Sequence, residues 1–234
     1  MSEIIESVSE RLQAVQARIS DAARVAGRAP GSIRLIAVSK TFPADDIAAL
    51  LAAGQRDFGE SYLQEAEAKI ETLGDAGVVW HFIGPIQSNK TRAIAEHFDW
   101  VHSIERTKIA ERLATQRPAR LPPLDVCLQV NVSGEATKSG VSPDDVPALA
   151  RAIKALDRLR LRGLMAIPEP TDDIGLQRAR FRLLRELRDR IAAEVGPLDT
   201  LSMGMSDDLE SAIAEGATMV RVGRALFGNR PRAA

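Results

Sequence analysis

Several things are scarce in this 234-residue sequence, and each scarcity closes a class of function. There is one cysteine, Cys127, which excludes an intramolecular disulfide framework and a cysteine-rich zinc site. It lies in the apolar run "DVCLQVNV" and reads as a small core residue. There is almost no net charge: 31 basic side chains stand against 32 acidic ones, so no global basic field exists to draw nucleic acid. No apolar run approaches the length of a membrane span. The start, "MSEIIESVSERLQ", is acidic and amphipathic, without the basic opening and apolar stretch of a secretion signal. The expectation is a cytoplasmic protein with neither a membrane nor a nucleic acid as partner. Histidine is scarce too, at three residues. His81 and His102 fall on separate strands without a carboxylate pair at metal-ligand spacing, so they read as core or strand-end histidines and no metal site is expected. His97 lies on a helix and reads as peripheral.

What is present is an alternation of short β-prone runs with longer stretches of helical periodicity. The N-terminal segment repeats Ile4, Ile5, Val8, Leu12, Val15 and Ile19 at helical spacing and ends near Gly27, a C-cap residue. Eight strand candidates follow, at 34–39, 56–60, 78–84, 100–104, 124–132, 159–167, 198–204 and 218–223. Strands alternating with helices imply parallel pairing, and eight such units predict a closed (β/α)8 TIM barrel preceded by an extra helix. An open doubly wound sheet would show a Gly-rich loop after the first strand, and "SKTFP" is not one. The whole of 1–234 reads as a single domain, with an N-terminal helix over 1–28 and a frayed tail, "NRPRAA", over 229–234. Pro43 suits a first helical turn, with Asp45 and Asp46 near the positive end of the dipole, and "SPDDVP" repeats that opening. "PEPTDDIG" (168–175) reads as a loop. The stretch 176–190 predicts a helix with apolar residues at Leu176, Phe181, Leu184, Leu187 and Ile191, and its arginines, with interspersed acids, as a solvated face. Trp80 and Trp100 open their strands and are expected to pack against outer helices.

In such a barrel the chemistry gathers at the C-terminal ends of the strands. Strand 1 delivers Ser39 and Lys40; strand 2 delivers Glu60, Ser61 and Tyr62. Strands 7 and 8 run into "SMGMSDDLESAIAEG" and "GRALFG". Small residues there, Ser202, Gly204 and Gly223, let backbone N–H groups approach a phosphate, and the short "RALFG" turn aims its N–H groups the same way. Arg221 interrupts an apolar strand beside them, and a buried arginine needs an acceptor or a ligand. Lys40, at the mouth of strand 1, either snorkels to solvent or serves as a Schiff-base amine. Schiff base plus phosphate leaves two chemistries open: a sugar-phosphate aldolase, or a pyridoxal 5′-phosphate (PLP) site with Arg221 at the pyridine nitrogen.

The strings "LIAVSKTFP", "DFGESYLQEAEAKI", "WHFIGPIQSNK", "VHSIER", "LQVNVSGEATKSG", "LRGLMAIP" and "LSMGMSDDLESAIAEGATMVRVGRALFG" carry a resemblance. In this order, from about Arg34 to Gly228, they resemble the PLP homeostasis protein family, also called the PLP-binding proteins. The resemblance implies the barrel of the alanine racemase N-terminal domain, PLP fold type III, and a covalent PLP on Lys40. It places Ser202 and Gly223 at the phosphate and Arg221 at the ring nitrogen. It implies a role in intracellular PLP homeostasis, with no established turnover. Two positions depart from the family pattern. Ser61 stands where many members have asparagine, and Arg224 where many have a small hydroxyl residue, so a side-chain phosphate contact is replaced by a guanidinium.

The electrostatics of the implied site lean the same way. An arginine beside the ring nitrogen opposes its protonation and weakens the ring as an electron sink. The sequence ends soon after strand 8, so the C-terminal β domain that supplies a tyrosine base in racemases is not expected, and Tyr62 is the only tyrosine. The expectation is therefore a monomeric protein that binds, buffers or delivers PLP through a reversible Schiff base on Lys40, with apo PLP-dependent enzymes as transient partners, and not an enzyme. A PLP-dependent amino-acid racemase of low activity is the first alternative and the Schiff-base aldolase the second.

Overall fold

A computed structural model of the chain describes residues 2–135 and 139–228. The tail expected at 229–234 and part of the "SGEATKSG" loop lie outside the described residues. The eight strands are β1 (Arg34–Val38), β2 (Asp57–Glu60), β3 (Val79–Phe82), β4 (Trp100–Ile104), β5 (Leu124–Gln129), β6 (Leu159–Met165), β7 (Thr200–Ser202) and β8 (Met219–Val222). They pair in sequence order, all parallel, and β8 closes on β1. The helices are α1 (Ser2–Val25), α2 (Ala44–Ala52), α3 (Leu63–Leu73), α4 (Thr91–His97), α5 (Thr107–Gln116), α6 (Val146–Lys154), α7 (Ile174–Val195), α8 (Leu209–Ala214) and α9 (Arg224–Phe227). This is the (β/α)8 barrel with an extra N-terminal helix. Among the described residues no helix is long and apolar enough to cross a membrane.

The period-two alternation of the strands builds two cores. The outer layer joins strands to helices, and α1 reaches it with Val8, Leu12, Val15 and Ile19, packing beside α2, α8 and α9. The inner layer fills the barrel with Ile36, Trp100, Cys127, Met165 and Met219. Burial pushes the Cys127 thiol far above its ordinary range, which makes it an inert core residue. Trp80 faces outward beside Phe58, as expected. Trp100 does not: it points into the barrel, stacked 5.7 Å from the His81 ring with the Arg162 guanidinium 4.9 Å from its own centroid. The reason is register. His81 and Trp100 are partners across β3 and β4, and both occupy inward positions.

Two helices differ locally from expectation. Pro43 caps α2, with Asp45 and Asp46 in the first turn. The second Pro-Asp-Asp is a turn, and α6 begins only at Val146, because Ser142 Oγ donates to Asp145 Oδ2 at 2.7 Å and accepts from Asp145 N at 3.3 Å. On α7 the buried face is Phe181, Leu184, Leu187 and Ile191, while Leu176 is exposed. Three of the arginines are not merely solvated. Arg178, Arg182 and Arg185 converge at 2.9, 3.0 and 2.9 Å on Glu215, a carboxylate buried after α8.

Candidate functional site

β1 ends at Val38, and the chain turns through Ser39, Lys40 and Thr41 before α2. Thr41 has φ +71°, the only positive φ outside glycine among the described residues. A β-branched residue there costs about 1–3 kcal/mol and persists only where its surroundings impose it. The surroundings are two carboxylates of the next βα unit. Thr41 N donates to Glu65 Oε1 at 2.5 Å, and Ser39 Oγ donates to Glu60 Oε1 at 2.7 Å. Lys69 of α3, itself buried, donates to Glu60 Oε1 at 2.7 Å, to Ser39 O at 2.8 Å and to Glu65. Burial raises the Glu60 carboxyl above its ordinary range, against the pull of Lys69 and Ser39. The turn carrying Lys40 is thus clamped on both sides, and Lys40 is half-buried at the mouth. Sequence reading missed Lys69 and Glu65; the signal was their i,i+4 spacing on α3.

On the other side of β1 lies β8, with Ile36 opposite Arg221 and Ala37 opposite Val222. Gly223 follows directly, and a Cβ there would stand 3.3 Å from the Val38 carbonyl oxygen. β8 therefore ends tight against the strand that carries Lys40. α9 starts at Arg224, so its first N–H groups have no partner within the helix. The Arg224 guanidinium is exposed and reaches back to Asp207, 3.2 Å away, linking the loops that follow β7 and β8. Gly204 turns that first loop at φ +93°, where a Cβ would lie 2.5 Å from Ala212 Cβ, and its carbonyl accepts from Arg221 N at 3.0 Å.

Arg221 is buried, and among the described residues no carboxylate forms an ion pair with it. Its Nη1 donates to Ser202 Oγ at 2.8 Å and its Nη2 to Ala166 O at 2.9 Å. Burial pulls its pKa down to about 10, with the Asp208 charge opposing, so it stays charged at neutral pH. The Ser202 hydroxyl is fully buried and occupied by this contact and by His102 Nδ1 at 2.8 Å. His102 Nε2 lies 2.9 Å from His81 Nδ1, and His81 Nε2 lies 2.9 Å from Asp57 Oδ1. The two histidines, read separately from the sequence, form one buried pair. The legible signal was parity, since His81 faces Trp100 and His102 is the next inward position of β4. Among the described residues no group of His, Cys, Asp or Glu is arranged to hold a metal.

Of the residues singled out from sequence, the barrel brings Lys40, Arg221, Gly223, Arg224, Gly204 and Ser202 to the adjoining ends of β1, β8 and β7. Ser61 is on the far side of β1, after β2, its backbone against Gly84 and its neighbour Tyr62 exposed. A cavity of about 150 Å³ opens beside this region, lined by Met205, Asp208, Phe181, Gln177, Asp172 and Pro168.

The buried imidazoles predict a pH effect on stability. Burial depresses both, His81 against the pull of Asp57 and His102 well below its ordinary value with His81 and Arg221 adding. A folded pKa below the unfolded one means the unfolded chain takes up protons first on acidification. The stability is complete above about pH 6.5 and is lost as pH falls from there toward the folded values, with a limiting slope of about 2.7 kcal/mol per pH unit for the pair. Urea midpoints between about pH 7.5 and 6 should show the decline, and a His102→Asn variant should show roughly half the slope. A flat profile would contradict neutral burial.

The family profile described as "Alanine racemase, N-terminal domain" matches residues 11–231. The chain is 63% identical over 226 residues to the pyridoxal phosphate homeostasis protein of Pseudomonas aeruginosa, covering 97% of each chain. Among solved structures it resembles PipY of Synechococcus elongatus with PLP bound, at 37% identity and a TM-score of 0.83, over 94% of this chain and 100% of that one. Alanine racemase from Corynebacterium glutamicum shares the fold alone, at 17% identity and a TM-score of 0.68, over 98% of this chain and 62% of that one.

Proposed function

This chain belongs to the alanine racemase N-terminal domain family and, within it, to the pyridoxal phosphate homeostasis proteins, and from that premise we propose that it binds PLP at the barrel mouth and serves PLP homeostasis. The observation that carries the reading is the pairing of β1 with β8, which sets a half-buried lysine, Lys40, beside a strand end formed by a buried arginine and a glycine opening onto a helix N-terminus. The donor set fits PLP. Lys40 supplies the amine for the aldehyde. Gly223, the first N–H groups of α9 and the loop at Gly204 supply backbone donors for the phosphate. Arg224 contributes a positive charge at the rim, shared with Asp207. Ser202 acts here through Arg221, because its hydroxyl is bonded to the guanidinium. Ser61 lines the opposite side of the mouth.

When bound, PLP supplies an electrophilic aldehyde and a ring able to accept electron density. Arg221 limits the second property. A charged guanidinium facing the ring nitrogen opposes a second positive charge there, and the protein holds Arg221 rigidly by two hydrogen bonds. The site is therefore suited to holding and releasing PLP rather than to turning over amino acids, and apo PLP-dependent enzymes are its transient recipients.

The test is borohydride reduction of the PLP-incubated protein followed by peptide mass mapping. One PLP-derived mass on the peptide containing Lys40 is expected. Its absence there, or a sugar-phosphate fragment in its place, overturns the reading. Amino-acid racemisation by the purified protein should not exceed that of free PLP; fast, Lys40-dependent racemisation would reassign it as an enzyme.

A further inference from the structure

Arg221 is at one end of a continuous hydrogen-bonded line that crosses the barrel interior: Arg221, Ser202, His102, His81, Asp57. Its links are 2.8, 2.8, 2.9 and 2.9 Å. Asp57 opens β2, so the line runs from the mouth to the opposite face of the barrel. The two ends are chemically one-sided. A guanidinium can only donate and an ionised carboxylate can only accept. The three groups between them can each give one proton and take one.

These ends leave one arrangement in which every proton and every acceptor is used. Arg221 donates to Ser202 Oγ. The Ser202 hydroxyl then gives its own proton to His102 Nδ1. His102 donates from Nε2 to His81 Nδ1, and His81 donates from Nε2 to Asp57 Oδ1. Reversing the imidazoles would set the bare Nε2 of His81 against a carboxylate at 2.9 Å. Protonating His81 would turn the upper links around and leave the Ser202 proton with no acceptor. Other charges near the pair do not call for that proton. Arg34, 3.4 Å from the same Asp57 oxygen, already supplies a positive charge, Arg221 faces His102, and Asp99 acts on His81 more weakly than Asp57 does. Trp100 stacks on His81 and helps to hold its ring plane.

We propose that Asp57, His81 and His102 are positioning residues for the cofactor site, carrying a one-way hydrogen-bond line of neutral Nε2–H imidazoles that presents the Ser202 oxygen to Arg221 and so orients its guanidinium toward the bound ring. The proposal rests on the PLP reading above. It assigns a role at the mouth to Asp57, a residue at the other face of the barrel.

The test has two arms. In the first, ¹⁵N-labelled protein without PLP is titrated from about pH 8 to 5.5 and its three histidines are read by long-range ¹H–¹⁵N correlation. His81 and His102 should each show a protonated Nε2 and a bare Nδ1 throughout. An Nδ1–H tautomer or a charged ring at either site overturns the proposal. In the second, Asp57→Leu and Asp57→Asn are titrated with PLP. Leucine removes the terminal acceptor, and the dissociation constant should rise roughly tenfold, with a shift in the pH profile of the visible absorbance of bound PLP. Asparagine keeps a carbonyl acceptor and should restore both to within about twofold of wild type. Unchanged affinity and profile in a folded Asp57→Leu protein overturn the positioning role. If that variant does not fold, His102→Phe replaces it under the same criteria. Failure of the wild type to take up PLP would sink the cofactor reading, and the first arm would still decide the line.

Discussion

The Lys40→Ala protein is expected to fold and to lose all borohydride-fixable PLP together with the visible absorbance that accompanies it. The reasons lie in the turn. Lys40 lies two residues beyond Val38, the last residue of β1, outside the strand ladder, and the turn around it is held by its neighbours: Ser39 through Glu60 and Lys69, Thr41 through Glu65. None of those bonds uses the side chain at position 40, so its removal leaves the clamp in place. What disappears is the Lys40 amine, presented at the mouth for the aldehyde. Lys40→Arg sharpens the test, since it restores a cation that cannot act as the nucleophile. Both variants should retain weak, salt-sensitive PLP binding through Arg221 and the start of α9, without the covalent signal. Absorbance titration and mass mapping measure this directly. A fixed PLP on either variant would move the attachment to another residue.

The largest effect on the fold is expected from Gly163→Ala. Gly163 pairs with Thr200 across β6 and β7, and a Cβ there would lie 1.8 Å from the Thr200 carbonyl oxygen and 2.7 Å from its carbon. The obstacle is backbone of a central strand, so no rotamer relieves it. β7 is only three residues long and ends in Ser202, so pushing it away breaks the pairing that closes the barrel beside Arg221. Overpacking of a core costs about 1–3 kcal/mol where side chains can yield, and a backbone collision should exceed about 4 kcal/mol. For a chain of this size that lowers the melting temperature by roughly 10 °C or more, or abolishes soluble expression. Gly31→Ala is the control, with nothing within 4 Å of its Cβ, and should melt close to wild type. Equal melting temperatures for the two variants would contradict the packing described.

Much of this molecule could be read along the chain. Each strand was legible because a parallel barrel strand is covered on both faces and so appears as a short apolar run between helical stretches. Lys40 and Arg221 stood out because each interrupts or ends such a run. Other features needed neighbours that are distant in sequence. Trp100 was expected outside and lies inside, because an aromatic at a strand start has no preferred face until its register with His81 is known. Ser202 looked like one more small phosphate-loop residue. Only the inward position of His102, 100 residues earlier, shows that its hydroxyl is occupied at the other side by an imidazole.

The barrel, its order of strands and the residue types that gather at the mouth are legible along the chain, because local periodicity and the parity of strands are properties of the chain. So are a lysine and an arginine at the ends of strands 1 and 8. Tertiary structure decided what those residues can do. Closure of β8 onto β1 put Arg221 next to the strand that ends in the Lys40 turn, and the barrel interior joined Asp57, His81, His102 and Ser202 behind it. Hydrogen-bond direction is a property of the whole line and of its two charged ends, and no stretch of sequence contains both.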